Sequence, residues 1–265
     1  MWEGNKTCLK WYNINNYNVK NYISASRPRL ADRSFISNYI SPLTQKTILF
    51  NSKRKFHTTG KIRSDLRIGP HHIDIISILI GSILGDTHLE KRKNGTRIIF
   101  EQCSRNVEYI MWFHNFFATR GYCSLNKPKL TTRIKKGNKI FYQYRVSSFT
   151  FTSFNWLHSM FYVNGKKIIP RNLEMYLTPL ALAIWFRHDG SKLGKGAKIA
   201  TNCFCVKDLE FLCLLLKNKY NLEFSIHSGG KDKGYSLYIK STSMSNFSSI
   251  LKPYILPCLC YKLGD

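Results

Sequence analysis

Two aspartates carry the strongest chemical signal in this chain. Asp86 ends the run Leu79-Ile80-Gly81-Ser82-Ile83-Leu84-Gly85-Asp86, and Asp189 ends Leu182-Ala183-Ile184-Trp185-Phe186-Arg187-His188-Asp189; the runs align acid on acid, 103 residues apart. Both runs read as helices, so each carboxylate falls at a helix C-terminus, where it is disfavoured by about 0.3–1 kcal/mol unless a cation stands beside it. Taken singly, an Asp beside a Gly at a helix end reads as a turn or cap residue. Taken as a repeated pair, they imply two equivalent helices side by side about a pseudo-two-fold axis, with both carboxylates brought to one spot. A divalent cation relieves the repulsion there, and hard oxygen ligands select Mg2+ in a cell.

Two lysines repeat as well. Lys167 in "NGKKIIP" follows Asp86 by 81 residues, and Lys262 in "YKLGD" follows Asp189 by 73, each just past the last helix of its half. A lysine near a scissile phosphate stabilises transition-state charge or helps activate water. The catalytic candidates are therefore Asp86, Asp189, Lys167 and Lys262, with Asp86 and Asp189 as the metal ligands.

Charge points to the substrate. Lys and Arg number 41 against 15 Asp and Glu, a net charge of +26 over 265 residues, and a chain this basic binds polyanions. No acid occurs between Glu108 and Glu174. Strands that alternate polar and apolar residues there can turn one face to a phosphate backbone and read base edges in a major groove. The nucleic-acid-binding candidates are Arg92, Lys93 and Arg97, then Arg133, Lys135, Lys136, Lys139 and Arg145. In the second half they are Lys192, Lys195, Lys198, Lys231, Lys233 and Lys240. No apolar run approaches the roughly 20 residues of a membrane span. The eight cysteines include only two close pairs, Cys203/Cys205 and Cys258/Cys260, both C-x-C, which fits reduced thiols rather than a zinc site.

The elements that must position these residues repeat in order. "IDIISILIGSILGD" reads as a helix whose Gly81 and Gly85 let another helix approach closely. A hairpin around an Asn94-Gly95 turn follows, then a helix in "VEYIMWFHNFFATRGY" stopped by Gly121, a strand in "KIFYQYRVSSFT" and a helix over "SFNWLHSMFYVNGKK". The second copy runs through "TPLALAIWFRHDG", a strand in "KGAKIATNCF", a helix in "VKDLEFLCLLLKNKYNL", a hairpin turning at Gly229-Gly230 and a closing helix in "SMSNFSSILKPYILP". This is an internal duplication of about a hundred residues. The boundaries expected are a first half over 70–172 and a second over 173–265. Residues 1–69 carry 13 basic residues against three acids, lack sustained periodicity, and read as a basic leader or arm; a transit peptide has the same composition.

Leu182 to Gly190 and Leu79 to Asp86 resemble the two motifs of the LAGLIDADG homing endonucleases. Residues 69 to 264, including "IGPHH", "GSILGD", "NGKKIIP", "DGSK", "KDKGYSLYI" and "LKPYILPCLCYKL", are similar to the single-chain members encoded in fungal mitochondrial introns, the cytochrome-oxidase-intron and yeast omega-intron types. The resemblance implies an α+β fold of tandem αββαββα repeats, with two antiparallel four-stranded sheets forming a saddle over the DNA major groove. It further implies a monomer with internal pseudo-symmetry that cleaves both strands of a long asymmetric site with Mg2+, using acids at Asp86 and Asp189 and lysines at Lys167 and Lys262. The family usually carries an acid or a small residue where His188 stands, and a hydrophobic residue in place of Arg187. His188, aligned with Gly85, is expected to set a bulky ring, cationic below pH ~6.5, against the metal and to weaken the second strand-cutting centre.

Three functions stay open: a site-specific DNA endonuclease of intron homing, a splicing maturase that binds group I intron RNA with weak or lost cleavage, and a degenerate remnant that only binds DNA. All three place the protein in the mitochondrion, which fits the abundance of Lys, Asn, Ile, Phe and Tyr expected of an A/T-rich gene.

Overall fold

The computed structural model describes residues 62–135, 138–231, 233–256 and 261–263. The leader reading of residues 1–61, Lys136, and the Cys258/Cys260 pair lie outside the described residues. The first half runs α1 (Ile73–Leu84), β1 (His88–Arg92), β2 (Gly95–Cys103), α2 (Val107–Thr119), β3 (Leu130–Lys135), β4 (Lys139–Ser147) and α3 (Asn155–Phe161). A small hairpin, β5 (Tyr162–Val163) and β6 (Lys166–Lys167), closes it. The second half repeats the order as α4 (Pro179–Asp189), β7 (Gly190–Leu193), β8 (Gly196–Ala200), α5 (Val206–Tyr220), β9 (Phe224–Ser228), β10 (Tyr235–Ile239) and α6 (Ser241–Leu251). The sheets have matching strand orders, β1-β2-β4-β3 and β7-β8-β10-β9, with all neighbours antiparallel. This is the expected α+β architecture of tandem αββαββα units.

Both motif helices are apolar around most of their circumference, and such helices form only where they are covered on several sides. Ile75, Ile78, Leu79, Ile80, Ile83 and Leu84 of α1 are buried, as are Ala181 to Phe186 of α4. The starts are capped: the His72 ring accepts the Asp74 N–H, and Thr178 Oγ1 accepts the Ala181 N–H at 3.1 Å ahead of Pro179 in the first turn. Small residues then let the backbones touch. A Cβ on Gly81 would fall on the Ala181 carbonyl oxygen, and one on Gly85 would lie 2.6 Å from the His188 Cβ. Thr178 Oγ1 also donates to Ser77 Oγ at 2.8 Å across the same interface.

Three local expectations change. The first hairpin closes by pairing Arg92 with Gly95, so its turn residues are Lys93 and Asn94. Gly95 serves a close approach instead, since a Cβ there would lie 2.9 Å from the Phe151 backbone, to which Thr96 is bridged. The helix expected over 153–167 stops at Phe161, and Asn164 and Gly165 take positive φ (49° and 74°) in the β5–β6 turn. That is the Asn-Gly hairpin signature, which outweighs weak helical periodicity. Finally, the end of the segment assigned to the leader is packed: Arg67 donates to Thr150 O at 3.1 Å over the Phe149 ring, and Thr152 Oγ1 donates to Ser64 O. His71 adds hydrogen bonds to Tyr122 Oη and Ser153 Oγ, 2.8 Å each.

Candidate functional site

The packed ends of α1 and α4 bring the two repeated acids into electrostatic contact. Burial raises the Asp189 carboxyl and the nearby Asp86 raises it further, to about 7, against the pull of Lys167 and Lys262. Burial raises Asp86 as well, opposed by a 2.5 Å hydrogen bond from Gln102 Nε2 and by the same two lysines. Asn106 Nδ2 holds Gln102 in turn, at 2.7 Å. Gln102 was not among the sequence candidates. Its signal was a polar side chain in the core-facing row of β2, two residues after the buried Phe100, each paired with a β4 residue on that face.

The sequence asked for a cation at each helix end, and the lysines supply it. The β5–β6 hairpin, tied to β1 by the Leu89 N–H donating to Tyr162 Oη, carries Lys167 under α1. There Lys167 Nζ donates to the carbonyls of Ile83 (2.6 Å), Gly85 (3.0 Å) and Thr87 (3.2 Å). Lys262 Nζ donates to Arg187 O at 2.6 Å at the end of α4. Both ammonium groups are shifted down by burial, with the two acids working against that shift. Cys203, just past β8, is also coupled to Lys167 and Asp189. Among the described residues no group of three or more His, Cys, Asp and Glu converges as a metal cluster. The two carboxylates, Asp86 open to solvent and Asp189 half-buried, offer the oxygen donors a hard cation needs, and their mutual repulsion is what such an ion would relieve.

His188 corrects the expectation of a cation beside this centre. Its side chain is 0% exposed and its pKa lies well below the usual 6.5, held down first by burial and then by Arg187, Lys262 and Lys167. The ring is neutral and lies in the first half, stacked on Phe100 with centroids 4.9 Å apart. Nδ1 accepts the Asp86 backbone N–H at 3.1 Å, so the ring proton sits on Nε2, which donates to Tyr109 Oη at 2.7 Å. Arg187 also reaches that half, its guanidinium over the Trp112 and Tyr109 rings at 4.8 and 5.4 Å.

The strand registers sort the basic candidates. Glu90 opposite Arg97, Glu101 opposite Arg145, and Arg133 opposite Phe141 share the face of the first sheet turned away from the core, together with Arg92. Three of these arginines are ion-paired there, Arg92 and Arg97 to Glu90 and Arg145 to Glu101. Lys135 and Lys139 are register partners at the end of the β3–β4 hairpin. In the second sheet Lys198 lies in the outward row with Ser191 and Tyr238. Lys192 is one register off that row. Lys93, Lys195, Lys231 and Lys233 occupy hairpin turns, whereas Lys240 lies past β10 and donates to Glu223 at 3.0 Å.

A duplicated helix-and-sheet unit with one acid of each copy at the helix junction and basic residues on the outer faces of the sheets defines a class of two-repeat proteins. The chain belongs to the LAGLIDADG family: residues 76–247 match the model of the LAGLIDADG DNA endonuclease family. It is 42% identical over 233 residues to the cytochrome b mRNA maturase bI2 of Saccharomyces cerevisiae, covering 83% of this chain and 55% of that protein. The chain thus spans about half the length of that relative. It is 37% identical over 155 residues to the intron-encoded endonuclease ai4 of Dictyostelium discoideum, covering 57% of this chain and 98% of the other. Among solved structures it resembles the homing endonuclease I-WcaI bound to its DNA recognition sequence, with 28% identity and a TM-score of 0.68 over 76% of this chain and 90% of that one. Among the described residues, no helix is long and apolar enough to cross a membrane.

Proposed function

We propose that this chain is a site-specific double-strand DNA endonuclease of intron homing that acts with Mg2+ in the mitochondrion as a pseudo-symmetric monomer. The observation that carries the reading is the meeting of Asp86 and Asp189 at the α1–α4 junction, each helix end held by a half-buried lysine. Asp86 and Asp189 would hold the metal, which when bound supplies charge neutralisation at the scissile phosphate and a more acidic water. Gln102 fixes the Asp86 carboxylate in one orientation. Lys167 and Lys262 keep positive charge beside the site where negative charge grows during hydrolysis. The outer faces of the two sheets, with Arg92, Arg97, Arg133, Arg145 and Lys198, would bind the duplex, and the hairpin lysines would reach the flanking phosphates.

The identity to a maturase supports a second reading, in which the same basic surfaces serve group I intron RNA and cleavage is weak or lost. One experiment separates them. The full chain is incubated with a duplex spanning the joined exons, in Mg2+ and in chelator, and separately with the precursor intron RNA. The endonuclease reading expects a metal-dependent double-strand break with short 3′ overhangs. Bound RNA and accelerated splicing with an intact duplex would overturn it in favour of the maturase.

A further inference from the structure

Buried histidines commonly serve only packing, and His188 fills the space that packing requires, against Phe100 and Tyr109. Its polar atoms do something more specific. They connect a side chain of the second motif to the backbone of the first motif's acid, through Nδ1 to the Asp86 N–H, while Tyr109 Oη anchors the far side of the ring. The Asp86 peptide follows directly on Gly85, whose carbonyl is held by Lys167. Peptide and carboxylate of Asp86 are thus gripped at three points: Lys167 on the preceding carbonyl, His188 on the N–H, and Gln102 on the side chain. Two of these grips come from the first half itself. The third crosses the interface.

We propose that His188 is a positioning residue for Asp86, a hydrogen-bonding wedge supplied by the second half that fixes the backbone and so the carboxylate of the first acid. This rests on the reading of Asp86 as a catalytic acid. It turns the substitution that seemed to damage the second centre into a support for the first. The geometry requires a small residue at position 85, because a Cβ there would lie 2.6 Å from the His188 Cβ and 3.0 Å from its Nδ1. Bulk has moved from one motif to the other, and with it an acceptor for the Asp86 N–H just past the end of α1.

A merely structural histidine and a positioning one respond differently to replacement. His188→Asn keeps an acceptor oxygen close to the place of Nδ1 but loses the ring stack, whereas His188→Ala loses both. Tyr109→Phe removes only the anchor. Strand-resolved cleavage of an end-labelled duplex is measured under single-turnover conditions beside DNA affinity. The expected result is that His188→Ala slows the strand most dependent on Asp86, identified with Asp86→Asn, by roughly ten- to a hundredfold while affinity holds. His188→Asn recovers most of that loss, and Tyr109→Phe falls between. Hydrogen exchange of the Asp86 amide in the free protein reads the same contact without any cleavage: protection is expected in wild type and His188→Asn, and loss in His188→Ala. If the wild type cuts no DNA, the endonuclease reading fails and the exchange result alone decides this inference. An Asp86 amide equally protected in wild type and His188→Ala overturns it, as does an Asn variant that cuts no faster than the Ala variant.

Discussion

In the first sheet β2 and β4 run nine residues each, whereas no strand of the second sheet exceeds five. The longer β3–β4 hairpin outruns its helical cover, and Ile134 and Ile140 near its end are 69% and 57% exposed. The acids differ in the same sense. Asp86 takes hydrogen bonds from Gln102 to its carboxylate and from its own N–H to His188, and Lys167 holds three carbonyls around it. Asp189 has Lys262 on one neighbouring carbonyl, and its carboxyl is pushed up to about 7. Duplication copied the strand order but not the environment of the acid. The first centre is fixed by contacts from both halves.

The largest test of that contrast is at the acids. Asp86→Asn is expected to abolish the double-strand break, slowing it about a thousandfold or more, roughly 4 kcal/mol in the barrier, while binding stays within about tenfold. Undiminished breaks would remove Asp86 from the metal-holding role. Asp189→Asn should fail to the same degree if the centres act together; a variant that still cuts both strands would show that the first centre suffices alone.

The helix junction comes next. Gly81→Ala would drive a methyl onto the Ala181 carbonyl and is expected to cost about 2–3 kcal/mol, read as a lower urea midpoint at unchanged slope. Gly85→Ala should cost a similar amount, but its added cost should vanish on a His188→Gly background, since the collision is with the His188 side chain. Additive losses would mean that the helices shift rather than interlock.

The motif helices, the repeat, both acids and both lysines were legible because their signals are local or recur: apolar runs of helical length, Gly81 and Gly85 one turn apart, an Asp at each end. The second halves of the contacts were not legible. Asn94-Gly95 has the form of a turn, but Gly95 is fixed by Phe151, 56 residues away, and no local pattern reports that. His188 aligns with Gly85, and its direction is decided by a hollow between Phe100 and Tyr109 that exists only once the halves pack. Gln102 could have been found, had the alternation of β2 been followed past Phe100.

Acid should strike the first half before the second. Two histidines held neutral by burial pack against it: His188, whose ring is fully covered, and the half-buried His71, whose pKa is pushed down to about 4. The unfolded chain binds their protons below about pH 6.5 and the folded chain does not, so their contribution is complete above that pH and is lost as pH falls towards 4. For His71 this is at most about 3 kcal/mol. Asp189 works the other way, because its carboxyl, pushed up to about 7, takes a proton in the folded chain first and gains stability as pH falls. The check is therefore a difference, with urea unfolding between pH 7 and 4.5 showing His71→Gln gaining on the wild type as pH falls. An unchanged difference would mean that the His71 ring is protonated in place.

The smallest effect compares the two sheets as binding surfaces. Arg133 stands opposite Phe141 in the longer hairpin, beside a 170 Å³ hollow lined also by Gln102, Tyr142 and Gln143. Lys198 stands between Ser191 and Tyr238 in the shorter sheet. A guanidinium forks onto a phosphate or a guanine edge, whereas an ammonium is a point charge that any nearby lysine replaces. Arg133→Ala is therefore expected to weaken duplex binding by roughly five- to tenfold, about 1–1.4 kcal/mol, and to reduce the salt slope by about one. Lys198→Ala should cost only about two- to threefold. Arg97→Ala gives the internal standard, because Glu90 already holds that guanidinium at 2.5 Å and the freed carboxylate would repel phosphate. Its loss should exceed that of Lys198→Ala without the sequence dependence of Arg133→Ala. Equal losses at Arg133 and Lys198, unaffected by the base sequence of the duplex, would mean that both sheets bind phosphate alone, and that the extra length of the first reads nothing the second does not.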